Sequence, residues 1–330
     1  MQQGETEALE LAHSTRDRIH RELSKVIVGQ EQTINLILTA ILAQGHVLLS
    51  GAPGLAKTRL ACSLAQVLSM RYSRIQFTID LMPSDILGME ILKKNSDTGE
   101  NELKFIKGPI FANFVLADEI NRTPPKVQSA LLEVMEEKCV TVNARKLEVN
   151  LPFFILATQC NTDDAESTYL LPQGQLDRFL FYIQLEYPSY EEEVEIVRRD
   201  ISSYSTVLEC VLTCEDVINL QNIVQRVPVA DACIDYAVRL VRATRPGQEN
   251  TPDFVSEYIA DGASPRASSS LVKAAKARAL LAGRYHIGLE DIRAVVVPVL
   301  AHRVRLNFNA EADGVTVEQM LTKLLESTSF

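Results

Sequence analysis

"SGAPGLAKTRL", Ser50 to Leu60, follows directly on the apolar run His46-Val47-Leu48-Leu49. An apolar strand that runs into a glycine-rich turn and then a helix lets successive backbone N–H groups curl around an anion at the helix N-terminus. The stretch fits the phosphate-loop pattern GxxxxGK[ST] over Gly51, Ala52, Pro53, Gly54, Leu55, Ala56, Lys57 and Thr58, except that Ala56 stands at the second glycine's place. Lys57 would then reach the β- and γ-phosphates of a nucleotide, the Thr58 hydroxyl would hold Mg2+, and the cradle extends through Arg59. Glycine is obligatory before the lysine only if φ is positive there or no methyl group fits. An Ala56 already inside the first helical turn can point its methyl away from the phosphates.

A second feature makes a chance glycine-rich turn a poor account of the loop. Phe114-Val115-Leu116-Ala117-Asp118-Glu119 is an apolar strand that ends in two adjacent acids. Alone, such acids are more often a solvated strand end. Beside a phosphate loop, Asp118 can bind Mg2+ through water, and Glu119 can orient or deprotonate an attacking water. The two features are expected on neighbouring strands.

The surrounding chain alternates strands and helices. Ile34, Ile37, Leu38, Ile41 and Leu42 form a helical stripe with Gly45 as its stop, and the charge-rich segment from Glu5 to about Leu23 reads as an exposed helix. "SRIQFTID", "FFILATQ" and "LDRFLFYIQL" hold further strands, and the helix patterns "TRLACSLAQVL" and "VQSALLEVMEE" lie between. Strands without polar alternation imply a parallel sheet covered by helices. Two hairpins are expected, in "ILKKNSDTGENELKF" with Asp97-Thr98-Gly99 at its turn and in "VTVNARKLEVN". After Tyr187-Pro188-Ser189 only helical spacing remains: Val217, Leu220, Ile223, Val224 and Val227, then Ile234, Ala237, Val238 and Val241, then a helix from Pro265 to Gly283. "TVEQMLTKLLES" opens with a capping-box pair, Thr316 and Gln319. The expected division is an N-terminal helix over 1–25, an α/β/α phosphate-loop domain with a parallel sheet over 26–188, and a smaller all-helical domain over 189–330.

Net charge is -10, from 33 basic and 43 acidic residues, which argues against general binding to nucleic acid. The start, "MQQGETEALELAH", has no basic segment followed by an apolar one, and no apolar run reaches membrane-spanning length, so a cytoplasmic protein without membrane insertion is expected. The six cysteines include no CxxC pair and are expected to be reduced and mostly buried. Five scattered histidines make a zinc site a poor expectation.

"VGQE" from Val28, "GAPGLAKT", "QFTIDLMPSDILG", "GPIFANFVLADEINR", "LPQGQLDRFLF" and "GASPRAS" together resemble the MoxR-family AAA+ ATPases, from about Val28 to Asn307. In that family an alanine before the loop lysine is common. The resemblance implies ATP and Mg2+ as cofactors, with Val28 and Gly29 at the nucleotide, and a homo-oligomeric ring, expected to be a hexamer. Arg178 of "LDRF" would be the finger inserted into a neighbour's site, and Arg266 of "SPRAS" the helical-domain sensor of the γ-phosphate. It also implies a client protein or a partner bearing a von Willebrand factor A-type domain, and chaperone-like remodelling or assembly. The hairpins would face the pore or the partner.

Two departures from the family stand out. Where the family reads ATQNP, this chain reads Ala157-Thr158-Gln159-Cys160-Asn161-Thr162, one residue longer before "LPQGQLDRF". Either Asn161 bulges into the sensor position, the favoured alternative, or Cys160 occupies it. Gln173 replaces the glutamate of "LPEAQLDRF", so hydrolysis is expected to be slow. An ATP-gated scaffold with little turnover is the second reading. A DNA-acting motor and a small-molecule kinase are weaker.

Overall fold

A computed structural model describes residues 14–94, 101–142, 145–160, 168–201, 207–248 and 251–328. The turn Asp97-Thr98-Gly99 and Asn161 lie outside them, as does the part of the first helix before residue 14; residues 14–23 are helical.

The apolar runs become the strands of a five-stranded sheet: β1 Val47–Ser50, β2 Tyr72–Gln76, β5 Phe114–Asp118, β8 Phe154–Gln159 and β9 Phe181–Gln184, in the order β2-β5-β8-β1-β9. β5 pairs in parallel with β2 and with β8, and all five of its residues are buried. Phe114 and Phe154 are opposite in register and meet edge to face at 5.0 Å. β1, β5 and β8 are buried on both faces, which explains why they carry no polar alternation, whereas the edge strands β2 and β9 are partly exposed. One expectation fails here. The phosphate-loop strand β1 and the acid-bearing strand β5 are not neighbours, because β8 lies between them.

Both hairpins form, β3 Gly88–Lys94 with β4 Asn101–Lys107 and β6 Cys139–Val142 with β7 Arg145–Glu148. Gly88 has φ 97, and a Cβ there would lie 2.1 Å from the Ile106 carbonyl oxygen, so only glycine fits the start of that hairpin. The helix Glu31–Leu42 buries all five stripe residues. Its end differs from expectation: Gln44 takes the left-handed turn, at φ 54, and Gly45 leaves room for Leu180, whose Cβ would stand 2.5 Å from an added Cβ.

The chain forms two compact units, one of 1–47, 172–184 and 215–330, the other of 48–171 and 185–214. The first contains helix Cys214–Arg226 from its second residue on, and helices Asp231–Ala243, Pro265–Leu281, Leu289–Leu300 and Val317–Ser327. The capping box forms, Gln319 N–H donating to Thr316 Oγ1 at 3.2 Å and Thr316 N–H to Gln319 Oε1 at 3.0 Å. Two details depart from the helical pattern read in the sequence. Helix Asp231–Ala243 buries Cys233, Tyr236, Ala237, Leu240 and Val241 and leaves Ile234 and Val238 exposed, so its buried face includes the wholly buried Tyr236 and is not set by aliphatic spacing alone. A short antiparallel pair, β10 Ile259–Asp261 with β11 Arg305–Leu306, interrupts the helices. The six cysteines are free, but only Cys139 and Cys233 are buried; Cys62 and Cys210 are exposed.

Candidate active site

β1 ends at Ser50 and helix Lys57–Val67 begins seven residues on, with the loop between them turned by positive φ at Gly51 (155), Gly54 (87) and Ala56 (54). Ala56 is therefore not inside the first helical turn. It is the residue that caps the helix, in the left-handed region at ψ 23, with its carbonyl accepting from Leu60 N–H at 2.9 Å. The loop needs a sharp reversal just before the lysine, and a left-handed residue supplies it; for a residue with a Cβ that conformation costs about 1–2 kcal/mol. The methyl is exposed, so the cost is conformational and not a clash. Lys57 Nζ donates to the Gly51 carbonyl at 2.7 Å, which holds the cation inside the curl of the loop. No acidic residue lies in the helix's first turn, so its N–H groups and Lys57 together present positive potential to an anion. A triphosphate fits this cradle. Thr58 and Arg59, in the same turn, are exposed.

The two acids are fixed by one hydroxyl. Thr158, fully buried on β8, donates to Asp118 Oδ1 at 2.7 Å and accepts the backbone N–H of Glu119 at 2.8 Å. Asp118, buried at the end of β5, also receives Arg74 Nε and Nη2 on Oδ2, at 3.0 and 2.6 Å. Glu119 is left-handed, φ 59 and ψ 50, and caps the short 3-10 turn Ile120–Arg122. Its Oε2 takes Gln76 Nε2 and Arg122 Nε, each at 3.1 Å, and its Oε1 takes the Cys160 thiol at 3.2 Å. Burial, and then the hydrogen bond to Glu119, push the Cys160 thiol above its ordinary range, so it remains a donor at neutral pH. The Asn121 amide holds Cys160 from both sides, accepting its N–H at 3.3 Å and donating to its carbonyl at 3.1 Å. Because β8 lies between β1 and β5, its C-terminal end adjoins both: Gln159 Nε2 reaches Ser50 Oγ at 3.5 Å.

The oxygen donors Thr58 and Asp118 suit Mg2+, which takes few protein ligands and completes its shell with phosphate and water. Among the described residues no cluster of three or more His, Cys, Asp and Glu could hold a metal unaided. A cation bound at Asp118 would compete with the Arg74 guanidinium.

Asn161 apart, which lies outside the described residues, the other residues expected at the site belong to the first unit. Val28 and Gly29 precede helix Glu31–Leu42, with Gly29 at φ 65 and Gln30 at φ 57. Arg178, half-buried, lies on the turn after helix Gln173–Leu176, and Arg266 is exposed in the first turn of helix Pro265–Leu281. Two side chains link these neighbourhoods: Ser264 Oγ donates to Asp177 Oδ2 at 2.9 Å, and buried Arg303 donates to Asp177 Oδ1 at 2.7 Å. His302, buried, is held well below the ordinary imidazole range by burial and then by Arg303, so it is neutral. Sequence reading did not single out Thr158, Arg74, Gln76, Asn121, Arg122 or Arg303. For Gln76 the signal was its place in "QFTIDLMPSDILG"; for Thr158 it was its place in the run Ala157-Thr158-Gln159, two residues before Cys160.

The family model for the ATPase family associated with various cellular activities (AAA) matches residues 46–181, and that for the AAA lid domain matches 253–324. The chain is 41% identical to Chaperone MoxR1 of Mycobacterium tuberculosis over 326 residues, 99% of this chain and 85% of that one. It is 33% identical to Protein MoxR of Methylorubrum extorquens, covering 88% of this chain and 87% of that one. A crystal structure of a Cytophaga hutchinsonii protein superposes with a TM-score of 0.87 at 40% identity, covering 97% of each chain.

Proposed function

Because this chain belongs to the MoxR-family AAA ATPases, which bind and hydrolyse ATP, we propose that it uses Mg2+-ATP in a homo-oligomeric ring, a hexamer, to remodel or assemble partner proteins in the cytoplasm. The observation that carries the chemistry is the Thr158 hydroxyl bonded to both Asp118 and Glu119 at the end of a buried strand. In this reading it fixes one carboxylate for a metal and anchors the backbone of the next, which serves as general base. In this reading the loop Gly51–Arg59 cradles the phosphates and Lys57 leaves the Gly51 carbonyl for the γ-phosphate. Thr58 and Asp118 hold the cation, whose charge would offset that developing on the transferred phosphoryl group. Glu119 accepts the proton of the attacking water, but only after release from Gln76, Arg122 and Cys160, so basal turnover is slow and a partner that frees Glu119 accelerates it.

Arg178 acts on a neighbouring subunit's nucleotide and Arg266 on that of its own. The likeness to a protein named as a chaperone supports a protein client, and the family resemblance favours a partner with a von Willebrand factor A-type domain. The test is complementation. Lys57→Ala and Arg178→Ala are each expected to be inactive alone, and mixtures that co-assemble should recover activity, since a site can take its loop from one chain and its finger from the other. Co-assembly without recovery counts against the ring site. Unchanged ATP affinity of Lys57→Ala by calorimetry removes the loop assignment.

A further inference from the structure

The carbonyls of the turn that carries Arg178 are held by side chains from a distant segment. Arg303 is 3% exposed, and its guanidinium meets that turn at several points. Nε donates to Asp177 Oδ1 at 2.7 Å; Nη2 donates to the carbonyls of Asp177 and Phe179 at 3.0 and 2.6 Å; Nη1 donates to the Leu180 carbonyl at 3.2 Å and to that of Val299. His302 donates through Nε2 to the Phe179 carbonyl at 3.0 Å, and Gln173 Nε2 donates to the His302 carbonyl at 2.8 Å. The carbonyls of Asp177, Phe179 and Leu180 are thus all filled by two consecutive residues of a distant segment.

The same carboxylate reaches the start of the Arg266 helix. Ser264 occupies the cap position of helix Pro265–Leu281, where a serine oxygen ordinarily accepts from an N–H of the first turn. Here it makes no cap hydrogen bond, and its hydroxyl donates to Asp177 Oδ2 instead, at 2.9 Å. Apolar residues of similar volume in place of a buried ion pair are often as stabilising or more so, so stability alone does not account for retaining this one. Its distinctive property is direction: a planar fork fixes the turn in one orientation.

We propose that Arg303, Asp177 and Ser264 form a positioning relay that sets the Arg178 turn and the Arg266 helix start as one body. The relay rests on the reading above, in which both arginines act on nucleotide. Its consequence is coupling, since a displacement of Arg178 at a neighbour's site moves Arg266 at its own.

The discriminating variant is Ser264→Ala, which leaves the buried Arg303–Asp177 pair intact and so leaves the fold intact. Misplacing an arginine by a fraction of an ångström should lower kcat roughly tenfold or more with the KM for ATP unchanged. Ser264→Thr, which keeps the hydroxyl, should restore the rate. Arg303→Lys, unable to span the same acceptors, should show the same split between kcat and KM. In rings mixed with Lys57→Ala subunits, which supply fingers on intact relays, Ser264→Ala sites should regain part of their rate. The thermal midpoint of Ser264→Ala is measured beside turnover to confirm that the fold is unchanged. Wild-type kcat in Ser264→Ala while Arg178→Ala is inactive overturns the relay and spares the finger. Wild-type kcat in Arg178→Ala overturns the finger reading, and the relay with it.

Discussion

Ala56 and Glu119 share a backbone conformation, left-handed at φ 54 and φ 59, and each caps the helical turn that follows it. They differ in what holds them there. The Glu119 N–H is bonded to Thr158, and its carboxylate receives three side-chain donors, from Gln76, Arg122 and Cys160. Ala56 has only a methyl group, exposed to solvent. Each conformation costs about 1–2 kcal/mol for a residue with a Cβ. At Glu119 the cost is met by bonds that aim a functional group. At Ala56 it is met by nothing local, and the loop simply bears it. In the proposed mechanism, strain at one place serves chemistry directly; at the other it is what remains when an alanine occupies a glycine's position.

Removing the group that the Glu119 backbone aims should give the largest effect. Glu119→Gln keeps the shape and can still accept from Gln76, but an amide cannot take a proton from water. Turnover should fall by about two to four orders of magnitude, the usual contribution of a positioned general base. ATP affinity by calorimetry should stay near that of the parent chain. Hydrolysis at the parent rate would falsify the assignment and leave the left-handed Glu119 without a chemical reason.

Next in size is the hydroxyl that supports that backbone. Thr158→Val is nearly isosteric, yet it leaves the Glu119 N–H and one oxygen of buried Asp118 without their partner. An orphaned buried polar group costs about 1–3 kcal/mol, and that loss should show in the midpoint of urea unfolding. Turnover should fall as well, because both acids lose their anchor. A stability change of only a few tenths would mean that Glu119 holds its conformation unaided, as Ala56 does, and the contrast would collapse.

The same contrast marks where the sequence is readable. The loop, its strand and helix, and the strand ending in Asp118-Glu119 follow from residue types at short spacing, and the parallel sheet follows from apolar runs such as Phe114–Ala117. The insertion of β8 between β1 and β5 does not, because strand order is decided by crossovers rather than by any local pattern. Nor does the conformation of Ala56, since alanine is at home both in a helix and, at some cost, outside it. Thr158, Arg74 and Arg303 act on partners far away in the chain; Arg303 meets Asp177 across 126 positions. A buried arginine in "AHRVRL" carries no local mark of that role. The rotated face of helix Asp231–Ala243 has the same origin, because Tyr236 counts as polar in a periodicity but is wholly buried.

The smallest effect expected is also the cleanest. Ala56→Gly removes an exposed methyl from a left-handed residue and touches no hydrogen bond, since the Ala56 carbonyl that accepts from Leu60 is unchanged. Glycine adopts this region freely, so the native state is relieved of the alanine penalty. The unfolded chain meanwhile gains freedom, which offsets part of that relief. The net gain should be about 1 kcal/mol, a rise of roughly 2–4 °C in the midpoint of the unit that carries the loop. The opposite sign is expected of Gly54→Ala, at φ 87 with nothing within 4 Å of an added Cβ, where space is open and only the backbone objects. ATP affinity should rise slightly or not at all in Ala56→Gly, because the loop already has the curvature that the phosphates require. A loss of stability in Ala56→Gly would show that Ala56 is not held left-handed in solution. The loop would then begin its helix one residue earlier, and the likeness between Ala56 and Glu119 would be broken.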